Sequence, residues 1–195
     1  MGIKDIALDV ICDHEILRSN ENKITYDAGG VTKYGISLRF LKLLKKDKNK
    51  DGFMDGDIDK NGIINSADVI NMDLDDARKI YGDLFDNGNY TRIKNPILIC
   101  KLFDMCVNMG ETQAAKLLQR STRGFNIILK DDGIIGDKTL GAVNSIQTDK
   151  LILCYQCQIE GFYRGLVMMD KNTYGKELNG WLNRCYDNLN RFFIK

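Results

Sequence analysis

The stretch Asn95-Pro96-Ile97-Leu98-Ile99-Cys100-Lys101-Leu102-Phe103-Asp104-Met105-Cys106-Val107-Asn108-Met109-Gly110 decides the fold. Asn95 before Pro96 is a helix start: the amide side chain can accept the open N–H groups of the first turn, where proline has no N–H to lose. Gly110 is the matching stop. Between them apolar residues fall on nearly every side of a 3.6-residue repeat, so this helix is expected to be buried all round. A helix of that kind suits the centre of a two-lobed molecule. The rest of the chain agrees, because it has one proline in 195 residues, where ordinary composition supplies roughly ten. The expected class is mainly α.

Downstream, amphipathic patterns predict helices over about 112–122, 138–146, 149–169 and 178–193, the third capped by Thr148. A tight turn, Asp131-Asp132-Gly133-Ile134-Ile135-Gly136-Asp137, precedes the second of them. Upstream, 82–94 reads as loop. A helix capped by Asp68 or Asp73 is expected to run through Tyr81, and another from Ser37 to Lys46. Gly29-Gly30 is a turn signal between Ile24-Thr25-Tyr26 and Val31-Thr32, which predicts a small β-hairpin. The first helix shows its buried face in Ile3, Ile6, Ala7, Val10, Ile11 and His14.

The chain carries 28 Lys+Arg against 27 Asp+Glu and one His, a formal charge of +1. That excludes the strongly basic type of nucleic-acid binder. The balance is uneven along the chain. Residues 47–76 hold nine Asp against three Lys, which leaves an excess of about seven positive charges elsewhere. One segment suits a cation and the remainder suits an anionic polymer. The six cysteines (12, 100, 106, 154, 157, 185) sit among apolar residues and read as free thiols made in a reducing cytoplasm. Cys154-x-x-Cys157 lies in a helical pattern without a second such pair, so core packing is the preferred reading. The first fifteen residues contain four acids, which does not fit a signal peptide. No apolar run reaches membrane-spanning length.

Two stretches have the oxygen spacing of a calcium loop. Asp57-x-Asp59-x-Asn61-Gly62-Ile63-x-Asn65-x-x-Asp68 places ligands at positions 1, 3, 5, 9 and 12, with glycine at 6 and the Ile63 carbonyl at 7. Upstream, Asp47-x-Asn49-x-Asp51-Gly52-Phe53-x-Asp55 begins a second loop, with the Phe53 carbonyl at its position 7. Its position 12 is Ile58, so Asp57 or Asp59 would have to complete it. The expectation is one or two Ca²⁺ ions in a structural role. Two loops abutting without a helix between them, and an Asp in place of a closing Glu, do not look like a sensor.

With one His there is little room for a Ser/His or Cys/His hydrolase, and no phosphate-binding glycine loop precedes a helix. Carboxylate chemistry remains. Glu15, on the turn above Ile11 and Leu8, should be partly desolvated, the setting in which a carboxyl serves as a general acid. Asp27 stands just before the Gly29-Gly30 turn. Such a pair across a cleft is what glycoside hydrolysis needs.

Glu15, followed by Asp27-Ala28-Gly29-Gly30-Val31-Thr32-Lys33-Tyr34-Gly35-Ile36-Ser37, resembles the opening of glycoside hydrolase family 108. Leu74-Asp75-Asp76-Ala77-Arg78-Lys79-Ile80-Tyr81 resembles the family's LTxxxAxxIY helix. Phe103-Asp104-Met105-Cys106-Val107-Asn108-Met109-Gly110 resembles its FDxxVNxG segment, and Leu117-Leu118-Gln119, Asp132-Gly133 and Gly180-Trp181-x-x-Arg184 continue the likeness. Glu15 is followed by Ile-Leu where the family has Gly-Gly, and Asp27 by Ala where it has Pro.

The resemblance implies a bilobal, lysozyme-like helical fold with a small hairpin and a calcium-loop insertion. It implies a catalytic lobe over 1–95, carrying the insertion 47–68, and a helical peptidoglycan-binding lobe over 96–195. It implies an N-acetylmuramidase that cleaves the MurNAc–GlcNAc β-1,4 bond, with Glu15 as general acid completed by Asp27 and Thr32. Tyr34 and Asn108 would be substrate-binding residues, although each also fits a packing or capping role. Trp181 and Phe103 read as core. The expected partner is bacterial peptidoglycan, with no nucleic acid and no membrane insertion, and a monomer by default. The setting implied is a phage endolysin, made in the host cytoplasm and released through a holin, or else a secretion-linked muramidase released by a transporter. A non-catalytic, calcium-stabilised wall-binding or secretion-associated protein is the alternative, and a calcium-regulated interaction protein a third.

Overall fold

The computed structural model describes residues 1–17, 24–27, 30–48 and 50–193, with residues 16, 17 and 27 described by their backbone alone. The chain divides into two compact units, Ile11–Asn87 and Met1–Val10 with Gly88–Lys195. The boundary falls within helix α1 (Ile3–Cys12), which runs on as a π-helical turn over Asp13–Leu17. The fold is mainly α, as expected, with a small antiparallel sheet.

In the unit Ile11–Asn87 the expected hairpin is present and gains a third strand. β1 (Thr25–Asp27), β2 (Gly30–Lys33) and β3 (Ile36–Ser37) pair in that order, with Tyr26 opposite Val31 and Lys33 opposite Ile36. Val31 and Ile36 face the core. The β2–β3 connection is the two residues Tyr34 and Gly35, with φ of 53° and 76°. Positive φ at both is the mirror-image turn whose twist matches that of paired strands. Tyr-Gly is a weak signal for it, which is why two-residue β3 is not legible beforehand. Ala28 and Gly29 lie outside the described residues.

Ser37 caps α2 (Leu38–Leu41) by accepting from the Phe40 N–H at 3.2 Å. The helix ends five residues earlier than expected. The Leu44 and Lys46 carbonyls accept N–H groups of Gly56 and Asp55, at 3.2 and 2.7 Å, so the returning acidic loop takes the place of further helical turns. Gly56 makes that return possible, because a β-carbon there would lie 2.3 Å from the Leu41 carbonyl oxygen.

Helix α3 (Ser66–Asn71) is capped by Asn65 rather than by Asp68, which instead sits at the third helical position and accepts the Asn65 N–H at 2.7 Å. Asp73 does cap, exchanging backbone-to-carboxylate bonds with Asp76 at 3.0 and 2.8 Å at the start of α4 (Leu74–Asn87). α4 continues through residues expected to be loop, because Gly82 and Phe85 extend its buried face.

In the helical unit, α5 (Pro96–Met109) begins and ends where the sequence predicts. Asn95 accepts from the Ile97 and Leu98 N–H groups, and Gly110 closes the helix with φ 88°. α6 (Glu111–Ser121) packs on α5, α8 (Thr148–Met169) on α6, and α10 (Leu178–Tyr186) on α8. α7 (Asp137–Ser145) and α9 (Lys171–Tyr174) complete the set. Gln147, not Thr148, holds the cap position of α8, and it makes no side-chain cap bond. The single helix expected over 178–193 is broken at Asp187, whose ψ of 132° leaves the helical region.

The core around α5 holds Leu98, Leu102, Phe103, Met105, Leu118, Tyr155 and Ile159. It also encloses charge. Lys101, 1% exposed, donates to the Arg184 and Cys185 carbonyls at 2.9 and 3.0 Å. Asp104, fully buried, pairs with Arg184 at 2.7 Å. The six cysteines are free thiols, but Cys157 is exposed and Cys154 half-buried, which corrects the core reading of that pair. Among the described residues no helix is long and apolar enough to cross a membrane.

Candidate functional site

The unit Ile11–Asn87 gathers several of the expected site residues around the β2–β3 turn. Glu15 stands in the π-helical turn that widens the end of α1, a distortion that recurs at functional sites. Its side chain is half-buried and lies against Gly35. A β-carbon at Gly35 would sit 2.4 Å from the Glu15 Oε2, so no other residue fits beside that carboxyl without displacing it. Thr32, half-buried, lies on β2 opposite Ser37, on the strand face opposite Val31. Asp27 pairs by its backbone with Gly30 at the end of β1, and its side chain lies outside the described residues.

Tyr34 occupies the turn itself, and its carbonyl accepts from the Tyr81 hydroxyl at 2.8 Å. Lys33 braces the turn from the other side. Its ammonium donates to the Ile70 and Met72 carbonyls at 2.8 and 2.7 Å, the open acceptors at the end of α3, and lies 5.2 Å from the Tyr34 ring centre. Sequence reasoning names neither Gly35, Lys33 nor Tyr81 as site residues. Tyr81 closes the LTxxxAxxIY-like motif, the one signal that could have marked it.

Asn108 belongs to the helical unit. Its Oδ1 accepts from the Tyr163 hydroxyl, and the Tyr163 ring stacks on Trp181 with centroids 4.8 Å apart. Phe103 is core, as expected, while Trp181 is half-buried between Tyr163 and Tyr174.

The two acidic loops share one hydrogen-bond scheme. In the second, the Asn61 and Gly62 N–H groups donate to Asp57 at 3.1 and 2.7 Å, and that of Ile63 to the Asn61 side chain at 2.8 Å. In the first, Asp51 and Gly52 donate to Asp47 at 3.1 and 3.0 Å, and Phe53 to the Asp51 side chain at 3.0 Å. Lys50, Gly52, Lys60 and Gly62 take positive φ at matching positions.

The closures differ. Carboxylate oxygens of Asp57, Asp59 and Asp68 come within 4.8 Å of one another, with Asp57 and Asp68 buried. Asp68 also accepts the Ile58 and Asn65 N–H groups, at 2.8 and 2.7 Å. Asn65 caps α3 and donates to the Ile63 carbonyl at 3.1 Å, so both are already engaged. In the first loop Asp51 pairs with Lys60 at 2.8 Å, which holds the lysine above its usual pKa through that hydrogen bond, and Asp55 accepts the Lys48 N–H at 3.1 Å. Asn49 lies outside the described residues. A cavity of about 100 Å³ lies between these loops and α4, lined by Phe53, Asp57, Lys79 and Asp83 among others. Neither Glu15 nor Thr32 lines it.

Comparison with known proteins adds three findings. The family described as Glycosyl hydrolase 108 matches residues 8–110. The family described as Predicted Peptidoglycan domain matches residues 113–186. Among solved structures, that of SagA from Brucella abortus is similar over 98% of this chain and 93% of its own, with a TM-score of 0.68 and 19% sequence identity. At that identity the likeness shows a shared fold. No curated protein matches the chain significantly.

Proposed function

The chain belongs to glycosyl hydrolase family 108, and from that premise we propose that it is an N-acetylmuramidase with Glu15 as its general acid. It is a glycosidase whose substrate is peptidoglycan, and its C-terminal part carries a peptidoglycan domain. The proposed reaction is hydrolysis of the MurNAc–GlcNAc β-1,4 bond. The observation that carries the assignment is the seating of the Glu15 carboxyl against Gly35, where a side chain of any size would collide with it.

In the proposed mechanism Glu15 protonates the leaving glycosidic oxygen as the bond lengthens and positive charge builds on the sugar ring. Asp27 is assigned to stabilise that charge or, with the Thr32 hydroxyl, to orient the attacking water. Tyr34 and Asn108 are assigned to substrate binding. The proposed setting is a phage endolysin that reaches the wall through a holin, with a secretion-linked muramidase as the alternative.

We assign the loop Asp57–Asp68 a structural Ca²⁺, for which Asp57, Asp59 and Asp68 supply hard oxygen ligands. Burying two carboxylates side by side is costly without a cation to offset them. The ion would stiffen the segment that leads into α3 and α4, the helices on which Lys33 and Tyr81 anchor the turn.

The test is digestion of purified sacculi by the native protein and by Glu15→Gln, followed by mass spectrometry of the fragments. Muropeptides ending in reducing N-acetylmuramic acid are expected from the native protein, with a loss of roughly 10³-fold in the variant. Equal fragments from both would move the acid elsewhere. Binding without fragments from either would leave a wall-binding module.

A further inference from the structure

Tyr81 has no part in the proposed proton transfer, yet its hydroxyl and the Glu15 carboxyl both lie beside Gly35. Its side chain is 2% exposed on α4, and its hydroxyl donates to the Tyr34 carbonyl. That carbonyl belongs to a turn in which a tyrosine holds a φ of 53°, a strained conformation for any residue with a β-carbon. Such a turn needs an outside hold, and the Tyr81 hydroxyl supplies one. A β-carbon at Gly35 would lie 2.4 Å from the Glu15 Oε2, 2.7 Å from its Cδ and 2.8 Å from the Tyr81 hydroxyl oxygen. Carboxyl, hydroxyl and turn backbone therefore converge where there is no room for a methyl group.

We infer that Tyr81 is a positioning residue for Glu15: by holding the Tyr34–Gly35 turn through its hydroxyl, it fixes the wall against which the carboxyl is set. The inference rests on Glu15 being the general acid. Helix α4 is suited to the task on both sides of the acid. Arg78, one turn before Tyr81, donates to the Cys12 sulfur at 3.2 Å at the end of α1, three residues ahead of Glu15. The N-terminus of α4 is itself secured by the Asp73–Asp76 exchange. One helix thus braces both the element that carries the acid and the turn it rests on. A carboxyl displaced by about an ångström from the leaving oxygen loses on the order of a hundredfold in rate.

The test uses the full chain and soluble, uncross-linked glycan strands, with initial rates of reducing-end release for the native protein, Tyr81→Phe, Gly35→Ala and Glu15→Gln. Tyr81→Phe keeps the ring and removes only the donor. A fall in kcat of about tenfold or more is expected, with KM within about twofold and a displaced alkaline limb in the pH–rate profile, the limb set by a group that must be protonated. A purely structural tyrosine would lower the melting temperature and leave kcat and the pH profile in place, which would overturn the inference. Gly35→Ala, whose β-carbon strikes the Glu15 carboxyl itself, calibrates the kcat loss of a displaced acid. If Tyr81→Phe does not fold, 3-fluorotyrosine in place of Tyr81 keeps the ring and changes only the donor strength of the hydroxyl. An altered kcat with KM in place then supports the inference, and wild-type kcat overturns it. Glu15→Gln separates the two readings. Activity retained in that variant would remove the acid assignment and this inference with it. An inactive Glu15→Gln beside a fully active Tyr81→Phe would remove this inference alone.

Discussion

In the unit Ile11–Asn87 the described backbone takes positive φ at seven positions: Gly30, Tyr34, Gly35, Lys50, Gly52, Lys60 and Gly62. Among the described residues of the helical unit only Gly110, Asn126 and Gly133 do so. The first unit meets many of its N–H groups with Asp and Asn side chains a few residues away, as in the paired acidic loops and the caps of α3 and α4. The second satisfies them in long helices and encloses charge at its centre, Asp104 with Arg184 and Lys101 against two carbonyls. The contrast separates two ways of holding a chain. Local polar turns set fine geometry around Glu15 but bury little apolar surface, so they depend on outside braces. Packed helices are stable by burial, and their weak point is any charge left without its partner.

The largest effect that would test this contrast is Asp104→Ala. It leaves the Arg184 guanidinium buried without its carboxylate, and a loss of about 3–5 kcal/mol is expected in denaturant unfolding. Hydrogen exchange should show lost protection in α5, α8 and α10. A loss below about 1 kcal/mol would mean that the helical unit does not depend on its buried pair.

Calcium removal tests the other side. With the ion a hundredfold above its Kd, chelation should cost about 2.7 kcal/mol. The lost amide protection should fall on the loop Asp57–Asp68 and on α3, sparing α5. An unchanged melting temperature with and without chelator would remove the structural ion.

The smallest effect is pH-dependent. Burial holds the Lys101 pKa below the ordinary lysine value of about 10.5, with Asp104 pulling the other way. Between the lowered value and 10.5 the unfolded chain binds a proton that the folded chain does not, so native stability rises with pH across that window. Lys101→Met removes this dependence. The stability difference between the two proteins should therefore move in favour of the native one as pH climbs from neutral towards 10.5. A constant difference would place Lys101 in the charged form throughout.

Helix α5 was legible to the residue because its start, stop and apolar surface are all local signals. Asn95, Pro96 and Gly110 act on their own neighbours, and the structure had nothing to add. The hairpin was legible for the same reason, through Gly29-Gly30 and the alternation beside it. The ends of α2 and α4 were not. α2 stops because the acidic loop takes the Leu44 and Lys46 carbonyls just beyond it, and α4 continues because Phe85 finds a buried place. Neither competitor is visible within a helix-sized window. Around the candidate site, Glu15, Asp27 and Thr32 could be named through the family resemblance. Lys33, Gly35 and Tyr81 could not, since their roles are contacts with residues 20 to 47 positions away.

The sequence by itself determined that the chain is mainly helical, where its most buried helix begins and ends, which segment carries the acidic loops and which family it belongs to. These follow from propensities, caps, periodicity and motif spacing, all of which act over a few residues. Only the tertiary structure decided that a two-residue turn with a strained tyrosine lies against Glu15, and that a tyrosine from α4 holds it there. A carboxyl's surroundings are set by what distant segments leave room for, and the missing β-carbon at Gly35 has meaning only once the acid is beside it.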